Sequence, residues 1–224
     1  MASSLQQRAV GLFGGTFDPV HQGHLDLARH VLVRCQLDEV LFIPAPQPPH
    51  KHQPIASYEQ RLAMLEAALH ASGDGRLRCS RIEADLPSPS YTVRTVEALC
   101  ALGAQHDYFL VIGADSLVDL PHWYRAEALL AAVNLIVVRR DHLEPAAIAA
   151  LLAQLDRTYR FDPHQGVWRN QQGRSLRYLD DLELPISSSL IRRQLALGEV
   201  PSMLPPPVLD HIRQHHLYGW QDAR

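Results

Sequence analysis

Gly14-Gly15-Thr16-Phe17-Asp18-Pro19-Val20-His21-Gln22-Gly23-His24 is the stretch on which the fold of this chain turns. Ahead of it, residues 10–13 form a short apolar run with the character of a buried strand. Behind it, Leu25, Ala28, Val31, Leu32 and Cys35 recur at helical spacing. The order is strand, glycine loop, helix. Two glycines directly after a strand let the backbone approach a ligand and present its N–H groups, and the start of the next helix adds the positive end of a dipole. An anionic phosphate fits there. His21 and His24 are three apart, so on a helical turn both can donate to one phosphate group, while Asp18 and Pro19 shape the turn.

Outward from this stretch the unit recurs. Residues 40–43 read as a buried strand, and Ser57 with Gln60 reads as a capping box opening a helix through Leu62, Leu65, Ala68 and Leu69. Strands are predicted at 77–82, 108–112, 135–138 and 176–179. Helices are predicted to start near Thr92, near Leu117 or Trp123, and at Pro145 in a first-turn position. This alternation predicts an α/β fold, a Rossmann-like open parallel sheet with helices on both faces, in which ligands bind at the carboxyl ends of the strands. Past residue 185, two short helices are expected at 188–197 and 208–216, split by the proline-rich stretch 201–207. The organisation expected is a nucleotide-binding α/β domain over 1–185 and a C-terminal helical segment over 186–224.

Composition narrows the partners. The chain has 224 residues, 46% of them apolar, and a net charge of -3, without the basic excess that neutralises a run of nucleic-acid phosphates. No run approaches the roughly 18 apolar residues of a membrane span. Cys35, Cys79 and Cys100 are odd in number and widely spaced, which suits free thiols in a reducing compartment. Small ligands in the cytoplasm, with no nucleic acid and no membrane, are the expectation; nothing signals an oligomeric state. His211 and His215 lie four apart but lack a completing carboxylate, so they read as a helix face and no metal site is assigned. Glu83, Asp85, Asp180 and Asp181 follow predicted strands and read as ordinary loop charges.

The glycine–histidine stretch resembles the signature of the HxGH nucleotidyltransferases, and nearly the whole chain is similar to the bacterial nicotinate-nucleotide adenylyltransferases. A second signature of that family, Ile-Ser-Ser-Thr-x-Ile-Arg, is matched by Ile186-Ser187-Ser188-Ser189-Leu190-Ile191-Arg192, with Ser189 in place of threonine and the hydroxyl kept. Hydroxyls at a helix start cap free N–H groups and bind anions, and Arg192 follows one turn on. The resemblance implies that AMP passes from ATP to nicotinate mononucleotide, with Mg2+ travelling on the ATP. It implies catalytic roles for His21, His24 and Arg192. Gly14, Gly15, Thr16, Phe17, Gly113, Asp115, Ser187, Ser188, Ser189 and Arg139 would serve ATP and its phosphates.

For the acceptor, the resemblance points to three segments. Lys51 lies in the proline-dense loop 44–54 as a phosphate-facing cation. Ser90-Tyr91-Thr92 precedes a helix whose first N–H groups would bind the nicotinate carboxylate. Gly113-Ala114-Asp115 leads to Trp123, which would stack on the pyridine ring, and to Tyr124, whose backbone would also meet the carboxylate. Nicotinamide mononucleotide or pantetheine phosphate is an alternative acceptor, and a non-catalytic nucleotide-binding regulator is an alternative of another class.

Overall fold

The structure is a computed structural model that describes residues 8–48, 54–102, 106–139, 144–182 and 186–221. Its strands are β1 (Ala9–Gly15), β2 (Glu39–Pro44), β3 (Leu77–Cys79), β4 (Asp107–Gly113), β5 (Asn134–Val138), β6 (Arg160–Asp162), β7 (Val167–Arg169) and β8 (Ser175–Leu179). They form one sheet in the order β3-β2-β1-β4-β5-β8-β7-β6. Pairing is parallel from β3 through to β8 and antiparallel for β7 and β6 at the far edge. The helices are α1 (Gln22–Arg34), α2 (Tyr58–Ser72), α3 (Thr92–Ala101), α4 (Ala114–Asp119), α5 (Ala126–Ala132), α6 (Pro145–Leu155), α7 (Ser188–Ala196) and α8 (Pro206–Gln214).

Side-chain alternation along the central strands divides the core in two. Tyr108, Leu110 and Ile112 of β4, with Leu135 and Val137 of β5, face a core completed by Val93 and Val96 of α3, Leu117 of α4, Leu129 of α5 and Ile148 of α6. Val111, Ile136 and Val138 face the opposite core with Phe13, which Ala28 of α1, Met64 of α2, Ile191 of α7 and Val208 of α8 close. Helices therefore cover both faces, and α7 and α8 share the core of α1 and α2. From β1 the chain moves outward through β2 to β3, then returns to place β4 on the other side of β1. The strand order reverses between β1 and β4, which opens a crevice at their carboxyl ends. Among the described residues no helix is long and apolar enough to cross a membrane.

Three local features differ from the sequence expectation. The strand expected over 77–82 stops at Cys79, and the chain instead turns into a 3-10 helix, Ile82–Asp85. The helix expected near Leu117 or Trp123 is two, α4 and α5, joined by a 3-10 turn at Leu120–His122 that carries Pro121, a residue without the N–H a continuous helix needs. The sheet is not wholly parallel, because the short hairpin of β6 and β7 extends it; three-residue strands are too short to show alternation.

The chain's last described turn returns to its first loop. Tyr218 Oη donates to Asp18 Oδ1 at 2.7 Å, a contact between residues 200 apart in sequence. Burial, and next the Asp18 carboxylate, push the Tyr218 phenol well above its ordinary value, so it stays neutral in the folded chain. Tyr218→Phe is expected to destabilise the fold by about 1–3 kcal/mol in urea titration, because it leaves the buried carboxylate one donor short. Unfolded tyrosine ionises near pH 10 while folded Tyr218 keeps its proton, so this contribution is complete below about pH 10 and declines as pH rises further. The Phe variant should lack that alkaline slope.

Candidate active site

Two clusters meet at the carboxyl ends of β1 and β4. The first is built around Asp18, which is 5% exposed. Its carboxylate accepts from the backbone N–H of Ile55 at 2.8 Å and of Ala56 at 3.2 Å, besides Tyr218. Its carbonyl oxygen accepts from Arg192 Nη1 at 2.6 Å, and Ser188 Oγ donates to the carbonyl of Pro19 at 3.0 Å. Ser187 caps α7 by accepting from the Leu190 N–H at 3.2 Å, and Ser189 Oγ accepts from Arg192 Nη2, also at 3.2 Å. The two sequence motifs, far apart in the chain, are thus bonded to each other. Arg192 carries five N–H donors in a fixed fork, so these bonds do not exhaust it.

His21 and His24 stand beside this cluster with their rings stacked, centroids 3.7 Å apart. His24 Nδ1 accepts the His21 backbone N–H at 3.2 Å, which leaves the neutral ring's proton on Nε2 and makes that nitrogen a donor. Phe17, held at φ 49°, meets the His24 ring edge-on at 5.1 Å. Two glycines are required by contact. A Cβ on Gly15 would lie 2.8 Å from the Phe17 ring, and one on Gly23 would lie 2.6 Å from Ile186 Cγ2 and 3.2 Å from the His21 ring. Glycine in the His-x-Gly-His turn is what lets residue 186, and with it the serine motif, close on the first loop.

Arg61 underlies both sides of the site. It is 1% exposed and donates to carbonyls of three segments: from Nη1 to Thr16 at 2.6 Å, from Nη2 to Ala45 at 2.9 Å and Pro46 at 3.3 Å, and from Nε to Ala56 at 3.3 Å. Burial pushes its guanidinium below the ordinary value, and the Asp18 carboxylate opposes that shift. Sequence reasoning passed over this residue. The signal was present, since Arg61 holds the first position of the apolar stripe continued by Met64, Leu65 and Ala68.

The second cluster lines a cavity of about 310 Å³ over the crevice. Gly14, Gly15 and Thr16 form its β1 side, Pro48 its loop side, Tyr91 and Thr92 its α3 side, and Asp115, Trp123 and Tyr124 its far wall. Tyr91 and Tyr124 stack at 4.5 Å, and the Arg94 guanidinium lies 5.2 Å and 5.5 Å from their ring centres. Residues expected at ATP and at the acceptor therefore share one space. Gly113 caps α4 at the end of β4. Arg139 follows β5, where its backbone N–H bonds the Leu179 carbonyl and its Nη1 that of Asp180, and it is not on the wall of this cavity. Lys51 lies outside the described residues.

Glu83 corrects the sequence reading. Far from being an ordinary loop charge, it is 8% exposed, lies on the cavity wall and accepts from Thr95 Oγ1 at 2.6 Å. Asp181, by contrast, pairs with His30 at 2.8 Å and Arg34 at 3.0 Å on the surface. His211 bonds Gln60 of α2 and packs on the His215 ring at 4.4 Å.

The chain is similar to known proteins along nearly its whole length. The profile of the cytidylyltransferase-like family matches residues 12–194. A probable nicotinate-nucleotide adenylyltransferase of Solibacter usitatus (strain Ellin6076) is 41% identical over 216 residues, covering 94% of this chain and 99% of that protein. One of Synechococcus sp. (strain JA-3-3Ab) is 38% identical, covering 95% and 96%. The solved structure of Plasmodium falciparum nicotinic acid mononucleotide adenylyltransferase complexed with NaAD superimposes with a TM-score of 0.71 over 96% of this chain and 99% of that one, at 16% identity, a likeness of fold.

Arg61→Met, which keeps much of the bulk of the side chain but no donor, is expected to cost about 3–5 kcal/mol by thermal or urea denaturation, since it strands the carbonyls and removes one of the two guanidinium charges that oppose Asp18. Arg61→Lys should recover little of this, because one ammonium cannot span three segments.

Proposed function

This chain belongs to the nicotinate-nucleotide adenylyltransferases of the cytidylyltransferase-like family, and from that premise we propose that it transfers AMP from ATP to nicotinate mononucleotide, giving nicotinate adenine dinucleotide and pyrophosphate in NAD biosynthesis. The observation that supports this most is the joining of the two motifs through Asp18 and Pro19, beside a cavity that holds the Tyr91–Thr92 helix start and Trp123 together. A site that must bring two phosphate-bearing molecules together needs such adjoining halves.

In the reaction, a phosphate oxygen of the mononucleotide attacks the α-phosphorus of ATP in line, a new P–O bond forms, and the bond to the β-phosphate breaks with pyrophosphate leaving. A phosphate monoester has its second pKa at about 6, so the attacking oxygen is already anionic at neutral pH and needs no general base. Catalysis reduces to positioning and charge. We assign the donors of His21, His24 and Arg192 to the phosphoryl group in transfer. The backbone of Gly14, Gly15, Thr16 and Phe17, the hydroxyls of Ser187, Ser188 and Ser189, and Gly113, Asp115 and Arg139 serve ATP. Lys51, Tyr91, Thr92, Trp123 and Tyr124 serve the acceptor, with Trp123 against the pyridine ring and the α3 N–H groups at its carboxylate.

Magnesium, on this reading, arrives with ATP and is carried by phosphate oxygens and water, as suits an ion that dehydrates reluctantly. No protein ligand is assigned to it. Residues 1–185 serve as the nucleotide-binding domain, and 186–224 as the segment that delivers the second phosphate motif. We place the reaction in the cytoplasm, where the free thiols of Cys35, Cys79 and Cys100 are at home.

Incubating the protein with ATP, magnesium and, in parallel, nicotinate mononucleotide, nicotinamide mononucleotide or phosphopantetheine, then measuring pyrophosphate, tests the reading. Release with the first alone is expected; release only with another acceptor, or with none, would sink it. His24→Ala is expected to lower kcat by about 100- to 1,000-fold, the usual effect of losing one transition-state donor, and His21→Ala similarly, each with little loss of fold by circular dichroism. Near-normal turnover in both variants would remove the histidines from the mechanism.

A further inference from the structure

Packing gives no reason for Glu83 to stand in the cavity wall. Burying a carboxyl costs free energy that an apolar side chain of similar size does not incur. Yet the 3-10 turn at Ile82–Asp85 aims this one inward. Thr95 Oγ1 donates to Glu83 Oε1 at 2.6 Å, and the Ser90 side chain is near enough to the same carboxyl to favour its charged form. Burial pushes the Glu83 carboxyl up from its ordinary value, and the Thr95 bond and the nearby Ser90 pull it back down.

Those hydroxyls bracket the start of α3. Ser90 comes just before Tyr91, the residue that caps the helix, and its backbone N–H bonds the carbonyl of Gln47 in the neighbouring loop at 3.1 Å. Thr95 lies in the first turn and is buried; its hydroxyl is also within 3.5 Å of the Tyr91 carbonyl, the acceptor to which a helical threonine would otherwise turn. Glu83 takes the shorter bond. The residue before Thr95, Arg94, lies over the rings of Tyr91 and Tyr124.

We propose that Glu83 is a positioning residue for the acceptor: by holding Thr95 it fixes the helix start whose N–H groups receive the acceptor's carboxylate. The proposal rests on the adenylyltransferase reading above. Glu83 acts through the turn and touches no reacting atom. A change here should therefore appear in the acceptor's KM and leave ATP binding and the chemical step nearly alone.

Steady-state kinetics of the full chain test this. Glu83→Ala is expected to raise the acceptor KM about tenfold, with the ATP KM and kcat within about twofold of wild type. Glu83→Gln keeps one oxygen for one hydroxyl, so its acceptor KM should rise only about threefold. It should also melt no lower than wild type at neutral pH, because it has no charge to bury. Should Glu83→Ala not fold, Thr95→Val removes the same bond from the other side and is expected to show the same selective rise. An unchanged acceptor KM in Glu83→Ala, or in Thr95→Val where that stands in, would overturn the proposal. So would an equal rise in both substrates' KM. Wild-type turnover is the separate control. If the wild type uses nicotinamide mononucleotide or phosphopantetheine instead, neither of which carries that carboxylate, or uses none of the three, both the reading and the proposal fail; turnover of nicotinate mononucleotide by the wild type with an unchanged KM in the variants sinks the proposal alone.

Discussion

The carboxylate of Asp18 is the constraint around which the rest of the site is arranged. A buried charge is tolerated only where donors or opposite charges surround it, and here they come from three separate parts of the chain: the N–H groups of Ile55 and Ala56 just before α2 and the phenol of Tyr218 donate hydrogen bonds, and the guanidinium of Arg192 stands at 4.0 Å as the opposing charge. None of these elements is next to the first loop in sequence. Each must be docked before the loop can keep its shape, so packing of α2, α7 and the C-terminal turn against one core is coupled to the geometry of the residues that would meet phosphate.

Arg61 does for carbonyl oxygens what Asp18 does for donors. A loop that turns its N–H groups toward a ligand leaves carbonyls facing inward, where water cannot reach them. Thr16, Ala45 and Pro46 are in that position, and one buried guanidinium answers all three. Because Thr16 belongs to the loop after β1 and Ala45 and Pro46 to the loop after β2, the same side chain keeps the spacing between the two walls of the cavity. Oppositely charged Asp18 and Arg61 thus form a buried framework, and the rigidity this gives is what a positioning mechanism requires.

Much of this was legible in the sequence because it rests on local patterns. The strand–glycine–helix order at β1, the recurrence at β2 and α2, the capping serine at 57 and the alternation of β4 and β5 are each written within a few residues, and so are the two phosphate motifs. What could not be read depends on distant contacts. Nothing near Asp18 announces Tyr218, and nothing in the local sequence around Glu83 says that a 3-10 turn will aim it inward. Pro121 could have warned that one helix would be two. Arg61, in an apolar stripe, and Thr95, between the buried Val93 and Val96, were the two polar residues whose positions implied partners not yet known.

The bond from Tyr218 to Asp18 also bears on how the molecule comes into being. Synthesis runs toward the C-terminus at about 5–20 residues per second, so a growing chain acquires its phosphate loop well before the segment that carries Tyr218. The phenol that steadies that loop is made 200 residues later. During that interval β1 has partners to pair with, but the loop it carries lacks a lasting shape. The site therefore takes its final form only after the second signature motif has been made, and a chain halted between Arg192 and Tyr218 would carry both motifs without the contact that sets the first of them.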